Sequence, residues 1–176
     1  MKTIYLAGGC FWGVEHFFSQ FEGIEETEVG YANSIIANPS YEQVVSKSTQ
    51  ATECVKIEYD PNTISLVQIL YAYFQIIDPT SLNKQGNDIG TNYRTGIYTT
   101  DPKELETIES FVKKAQKFYS KPIVIEVEKL TNFYPAEAYH QDYLLKNPYG
   151  YCHISPTMMH DFQLPDTRKI LTKLDD

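Results

Sequence analysis

The sequence predicts an α+β fold, a two-layer α/β sandwich with a mixed sheet. Three observations lead there: strand-like and helix-like periodicities alternate along the 176 residues, two strand candidates lie close enough to pair antiparallel, and no glycine-rich phosphate loop of a doubly wound sheet is present. "TIYLA" (3–7) is an apolar run of strand length, and Phe11, Val14, Phe17, Phe18 and Phe21 then recur at helical spacing. "EVGY" (28–31) and "CVKIEY" (54–59), the second alternating with period 2, form the expected antiparallel pair. A helix opens at Ser65, where Gln68 three residues on completes a capping-box pattern, and turns Leu66, Ile69, Leu70, Tyr73 and Phe74 inward. "TGIYTT" (95–100) leads into a helix with Asp101 as N-cap and Pro102 as first residue, its apolar face made by Leu105, Ile108, Val112, Ala115 and Tyr119. "IVIEV" (123–127) is the last strand, a short helix follows near 136–145, and beyond "NPYGYC" the chain is proline-punctuated. The expectation is a single domain over 1–176 with a ferredoxin-like plait core, residues 146–176 being a long irregular C-terminal tail.

Composition narrows the function. A hydrophobic content of 42% and an aromatic content of 14% suffice for one sizeable core. The net charge of -8 and pI near 5.0, without a lysine or arginine cluster, argue against nucleic acid as a partner. No apolar run reaches the roughly 18 residues of a membrane span, and "MKTIYLAGGC" is too short and too soon broken for a signal peptide. A cytoplasmic monomer without membrane contact is expected. Three irregularly spaced cysteines make no disulfide framework, so each needs its own reason.

Cys10 lies in "LAGGCFWGVEHFF" where a strand hands over to a helix, and the free N–H groups of a helix N-terminus favour an anion. That position is expected to lower its thiol pKa from about 8.5 toward 7 or below. Local context alone fits a buried core cysteine equally well. Cys152, in "NPYGYCH", is either a stray tail residue or a thiol able to reach another thiol, and Cys54 at the head of a strand is most simply a packed residue. Glu53 heads the same apolar strand, where burial raises a carboxyl pKa and keeps the acid neutral and able to donate; a solvent-exposed strand-end carboxylate is the commoner alternative. His153 and His160 near Cys152 match no zinc spacing, and no metal site is expected.

In order along residues 4–152, "GCFWG" (9–13), "GY" (30–31), "ECVKIEYDP" (53–61), "DP" (78–79), "QGNDIGTNYRTGIY" (85–98), "YHQDYL" (139–144) and "KNPYGYC" (146–152) resemble the A-type peptide methionine sulfoxide reductases. The resemblance implies Cys10 as nucleophile, Phe11 and Trp12 as an apolar wall for the substrate methyl group, and Glu53, Tyr31 and Tyr93 as hydrogen-bonding partners of the sulfoxide oxygen. It also implies Asp88 and His140 in or near the pocket and Cys152 as a recycling cysteine. The implied reaction is reduction of methionine S-sulfoxide, free or in proteins, through a Cys10 sulfenic acid and a Cys10–Cys152 disulfide, as repair of oxidative damage. No bound cofactor is implied, and thioredoxin is the implied external reductant. The chain departs from the common pattern in reading "GYANS" after the second strand candidate, "TQATECV" around Glu53 and "QGNDIG" before Tyr93, and in lacking a second tail cysteine. Two other classes remain as alternatives: a cysteine hydrolase built on Cys10 and His140, and a non-catalytic binder of oxidised methionine.

Overall fold

A computed structural model describes residues 1–176. Its first apolar run forms β1 (Lys2–Ala7), followed by α1 (Phe11–Ser19), β2 (Ile24–Ala32), α2 (Tyr41–Val45), β3 (Thr52–Tyr59) and α3 (Leu66–Ile76). A small hairpin of β4 (Lys84–Gln85) and β5 (Asp88–Ile89) precedes β6 (Gly96–Thr99), α4 (Pro102–Ala115), β7 (Glu126–Lys129) and β8 (Phe133–Pro135). The chain ends with α5 (Tyr143–Lys146), α6 (Pro156–Asp161) and α7 (Thr167–Asp175). The result is a mixed α/β structure with seven helices and a six-stranded mixed sheet in the order β7-β6-β1-β3-β2-β8, antiparallel except for the β6–β7 pair. Because β1 and β2 both run against β3, they are parallel to one another, and α1 is the crossover that joins them; α3 joins β3 to β6 in the same way.

Local chemistry accounts for the helix starts. The Ser65 side chain accepts from the Gln68 N–H while Gln68 Oε1 accepts from the Ser65 N–H, so two otherwise orphaned donors are satisfied at the start of α3. Asp101 accepts from the Lys103 N–H, and Pro102 opens α4 at the one position where its missing N–H costs nothing. Period-2 alternation divides the sheet between two faces. Ile4, Leu6, Val29, Tyr31, Val55, Ile57 and Ile97 join the helices in the main core, whereas Ala7, Ala32, Cys54 and Tyr98 form a small cluster of their own.

Three expectations need correction. The last run expected as a strand, 123–127, pairs only from Glu126, because the Ile123 N–H donates to Gln116 Oε1 and the Val124 N–H to the Pro79 carbonyl instead of to a neighbouring strand. The helix expected near 136–145 is broken into a 3-10 turn at Ala138–His140 and the short α5, with Asp142 between them in the left-handed region at φ 52°. The tail is not irregular throughout. Ser155 and Asp166 cap α6 and α7 by accepting from the Met158 and Lys169 N–H groups, and Met159, Ile170 and Leu174 are buried in the main core.

Candidate active site

The turn between β1 and α1 is built so that Cys10 ends it. Gly9 has φ +79°, a conformation that L side chains rarely adopt, and a Cβ there would come within 2.8 Å of Gln85 Cβ. Cys10 follows as the N-cap of α1, yet its side chain caps nothing. The acceptor comes from β3: the Phe11 N–H donates to Glu53 Oε1 at 3.1 Å. The free end of α1 is therefore already held by a carboxyl group, beside the thiol. Both residues are nearly sealed from water, Cys10 at 7% exposure and Glu53 at 2%.

That arrangement reverses one expectation and meets another. The Cys10 thiol is pushed up rather than down, first by burial and then by the nearby Glu53 carboxylate, against a smaller opposing bond from the Trp12 N–H. Burial also raises the Glu53 carboxyl, to about 8, with the Phe11 N–H opposing the shift and Asp88 adding to it. At neutral pH Glu53 thus carries a proton that it can donate, and its repulsion of a thiolate vanishes in that form. Cys54, next in β3, is buried on the opposite face of the sheet.

An aromatic floor and wall surround this pair. Phe11 is buried against Tyr31 and His140, with ring centroids 5.8 and 5.2 Å away. Trp12 stacks on Tyr143 at 3.7 Å and donates from Nε1 to His140 Nδ1 at 3.0 Å. Burial holds His140 below the usual histidine pKa, against the opposing charges of Glu137 and Glu42. It is therefore neutral at pH 7, and its bond fixes the indole. His140 accordingly positions Trp12, and its Nδ1 is not free to serve a thiol.

The tyrosines divide differently from the sequence-based expectation. Tyr31 is fully buried and donates its hydroxyl hydrogen to Glu137 Oε1 at 2.8 Å, while Glu137 Oε2 accepts the Tyr41 N–H at 2.9 Å. Tyr31 is thus a supporting residue beneath the pocket, directly opposite Glu53 in the β2–β3 register. Tyr41, at the start of α2, is the residue that the sequence reading missed. Its ring lies 4.6 Å from that of His140, and its phenol is pushed up to about 12 by burial and then by Glu53 and Cys10. Tyr93 is raised too, by burial and then by Glu53, Tyr41, Asp88 and Cys10. Both phenols therefore lie near enough to feel the charge of Glu53 and Cys10. The only local signal for Tyr41 was the Ser40–Gln43 capping box that orders α2, and this says nothing of a pocket.

Asp88, in the β4–β5 hairpin, accepts from the Tyr151 hydroxyl at 3.0 Å and so ties the C-terminal arm to the pocket rim. Next to Tyr151, Cys152 is a half-buried free thiol, its pKa raised by burial, and it lies near enough to Cys10 for its charge to add to the rise of the Cys10 thiol. On its other side Cys152 opens onto a groove of about 440 Å³ whose lining includes His16, Leu144, Pro148 and Met159.

The sequence profile of the family described as peptide methionine sulfoxide reductase matches residues 2–169. A relative from Mycoplasma genitalium named peptide methionine sulfoxide reductase MsrA is 58% identical over 154 residues, which cover 88% of this chain and 98% of that one. Among solved structures, reduced Mxr1 from Saccharomyces cerevisiae superposes with a TM-score of 0.82 at 35% identity, covering 94% of this chain and 92% of its own. Mxr1 solved in complex with Trx2 superposes with a TM-score of 0.58 at 26% identity, over 81% and 84% of the two chains. With a buried acid beside a buried thiol under an aromatic wall, and with relatives this similar over most of their length, the chain belongs to the peptide methionine sulfoxide reductases and is an enzyme that reduces methionine sulfoxide.

Proposed function

We propose that Cys10 is the nucleophile of this reduction and Glu53 its proton donor. The observation that carries the reading is the Glu53 carboxyl at the start of α1, buried, neutral near pH 7 and bonded to the residue that follows Cys10. Methionine sulfoxide offers a polar S–O group and an apolar methyl, so its pocket needs donors on one side and a wall on the other. Tyr41, Tyr93 and Glu53 supply the donors, and Phe11 with Trp12 the wall; Tyr31 supports them through Glu137, Asp88 braces the rim, and His140 orients the indole. Fixed donors and a fixed wall accept one configuration at sulfur, which the family resemblance makes the S epimer.

As the Cys10 sulfur attacks, negative charge grows on the sulfoxide oxygen, where donors already in place stabilise it. Oxygen passes to Cys10 as a sulfenic acid and the thioether leaves. The substrate sulfur is reduced by two electrons and Cys10 is oxidised by two. Cys152 then condenses with the sulfenic acid, releasing water and forming a disulfide. Thioredoxin is the external reductant of this scheme, supported by the complex of Mxr1 with Trx2 and by the groove that gives access to Cys152. The electrons come from the two thiols, so the scheme needs no bound cofactor. The same reading takes 1–176 as one catalytic domain on a ferredoxin-like plait, with 146–176 as the arm that carries the recycling thiol, and takes the protein as a cytoplasmic monomer repairing oxidised methionine, free or in proteins. No helix is long and apolar enough to cross a membrane.

Counting free thiols after addition of methionine sulfoxide tests the scheme. Two are expected to disappear per sulfoxide reduced; a cysteine hydrolase or a simple binder would consume none.

A further inference from the structure

Glycine inside a helix gives up stability relative to alanine, so one in the first turn of α1 needs a reason. At Gly13 the reason lies in the C-terminal arm. A Cβ built on Gly13 would come within 2.9 Å of Cys152 Sγ and 3.2 Å of Ile154 Cδ1. The residue between them meets the other side of the same turn: a Cβ on Gly9 would lie 3.3 Å from His153 Cε1. Three consecutive arm residues thus rest in two notches, at Gly9 and Gly13, that flank Cys10. Ile154 is buried in the main core and anchors the contact. Gly13 lies in the first turn of the helix that Cys10 caps, so the Cys152 thiol rests against that turn.

We propose that these notches form a seat for the reduced arm, and that Gly13 is a positioning residue holding the Cys152 thiol against the first turn of α1, which Cys10 caps, poised for the recycling step. The inference rests on the reading of Cys152 as the recycling cysteine. In that step the S–O bond of the Cys10 sulfenic acid breaks, an S–S bond to Cys152 forms, and the thiol proton leaves with the hydroxide as water. No further oxidant is required. The seat shortens the search that Cys152 makes for Cys10 and raises its effective concentration there.

Gly13→Ala fills the notch with a methyl group in a residue well suited to helix. With one equivalent of methionine sulfoxide in a rapid-quench experiment, loss of the first thiol should keep its wild-type rate, while loss of the second should slow by about tenfold. Alkylation of the reduced enzyme, followed by peptide mass mapping, should show Cys152 modified faster than in the wild type. The double variant Gly13→Ala/Ile154→Val, which removes the Cδ1 that crowds the same methyl group, should remain slow. Disulfide formation at the wild-type rate, unchanged alkylation of Cys152, or recovery in the double variant would overturn the seat. Cys152→Ser, run in parallel, separates the two ideas: if it cycles normally with thioredoxin, the recycling assignment itself fails, whereas a stalled Cys152→Ser beside a normal Gly13→Ala removes only the seat.

Discussion

The two thiols of this enzyme sit in different kinds of structure. Cys10 ends a glycine turn between the third strand of the sheet and the helix packed on it, almost closed to water and joined through the Phe11 N–H to an acid on the neighbouring strand. Cys152 lies in a loop of the arm, half-buried, between the Tyr151–Asp88 bond and the buried Ile154, with a groove on its open side. The contrast fits the roles proposed for the two thiols. Oxygen transfer needs donors and an acid fixed to within a fraction of an ångström, which a sheet and a helix provide. Recycling needs one thiol to meet first an internal sulfur and then an external reductant. A short loop pinned at both ends suits that traffic better than a strand.

Substitutions ranked by effect test this division. Cys10→Ser should abolish reduction altogether, since an alcohol is a far poorer nucleophile than a thiol at neutral pH; measurable turnover by this variant would refute the scheme. Cys152→Ser should reduce about one equivalent of substrate and then stall with thioredoxin, which separates chemistry from recycling. Glu53→Gln keeps a donor but loses the transferable proton, so single-turnover rates should fall by about 100-fold or more. The same acid sets a pH limb. Its carboxyl is protonated below about 8, so the first half-reaction should weaken as pH rises through that value, and the Glu53→Gln enzyme should lack this limb. By linkage the folded state holds a proton that the unfolded chain has released between the ordinary carboxyl range and pH 8, so this group's contribution to stability declines across that window as pH rises.

The smallest effects distinguish the tyrosines. Tyr41→Phe should slow oxygen transfer by about tenfold, the equivalent of one hydrogen bond of about 1.4 kcal/mol. Tyr31→Phe should leave that rate nearly intact and cost about 1 kcal/mol of stability through the unpaired Glu137 oxygen, as read by denaturant unfolding. Equal kinetic losses in the two variants would return Tyr31 to the pocket.

Much of this site is legible from local sequence. The glycine turn, the start of α1 at Cys10 and the discomfort of a glutamate heading an apolar strand all follow from neighbours a few residues apart. What local sequence does not carry is direction across the fold. The Cys10 thiol is raised first by its burial and then by an acid that also accepts from the Phe11 N–H, 42 residues before it, at the start of α1, and no helix-end rule contains either. Tyr31 turns from the pocket toward Glu137, 106 residues distant, and leaves the place to Tyr41. The fold divides in the same way. The capping residues of α3 and α4 announce those helices, and Ser155 and Asp166 cap α6 and α7 as well, but the latter are short helices in a proline-punctuated tail and bury only Met159, Ile170 and Leu174. The run 123–127 has strand composition throughout, yet its first N–H groups are claimed by Gln116 and Pro79.

The pairing of the two thiols tests the account most directly. The reduced protein is mixed with one equivalent of methionine sulfoxide, blocked at acid pH, digested and mapped by peptide mass. The account predicts a Cys10–Cys152 disulfide with Cys54 still a free thiol on the far face of the sheet. A disulfide that includes Cys54, or reduction of the sulfoxide with all three thiols intact, would contradict it.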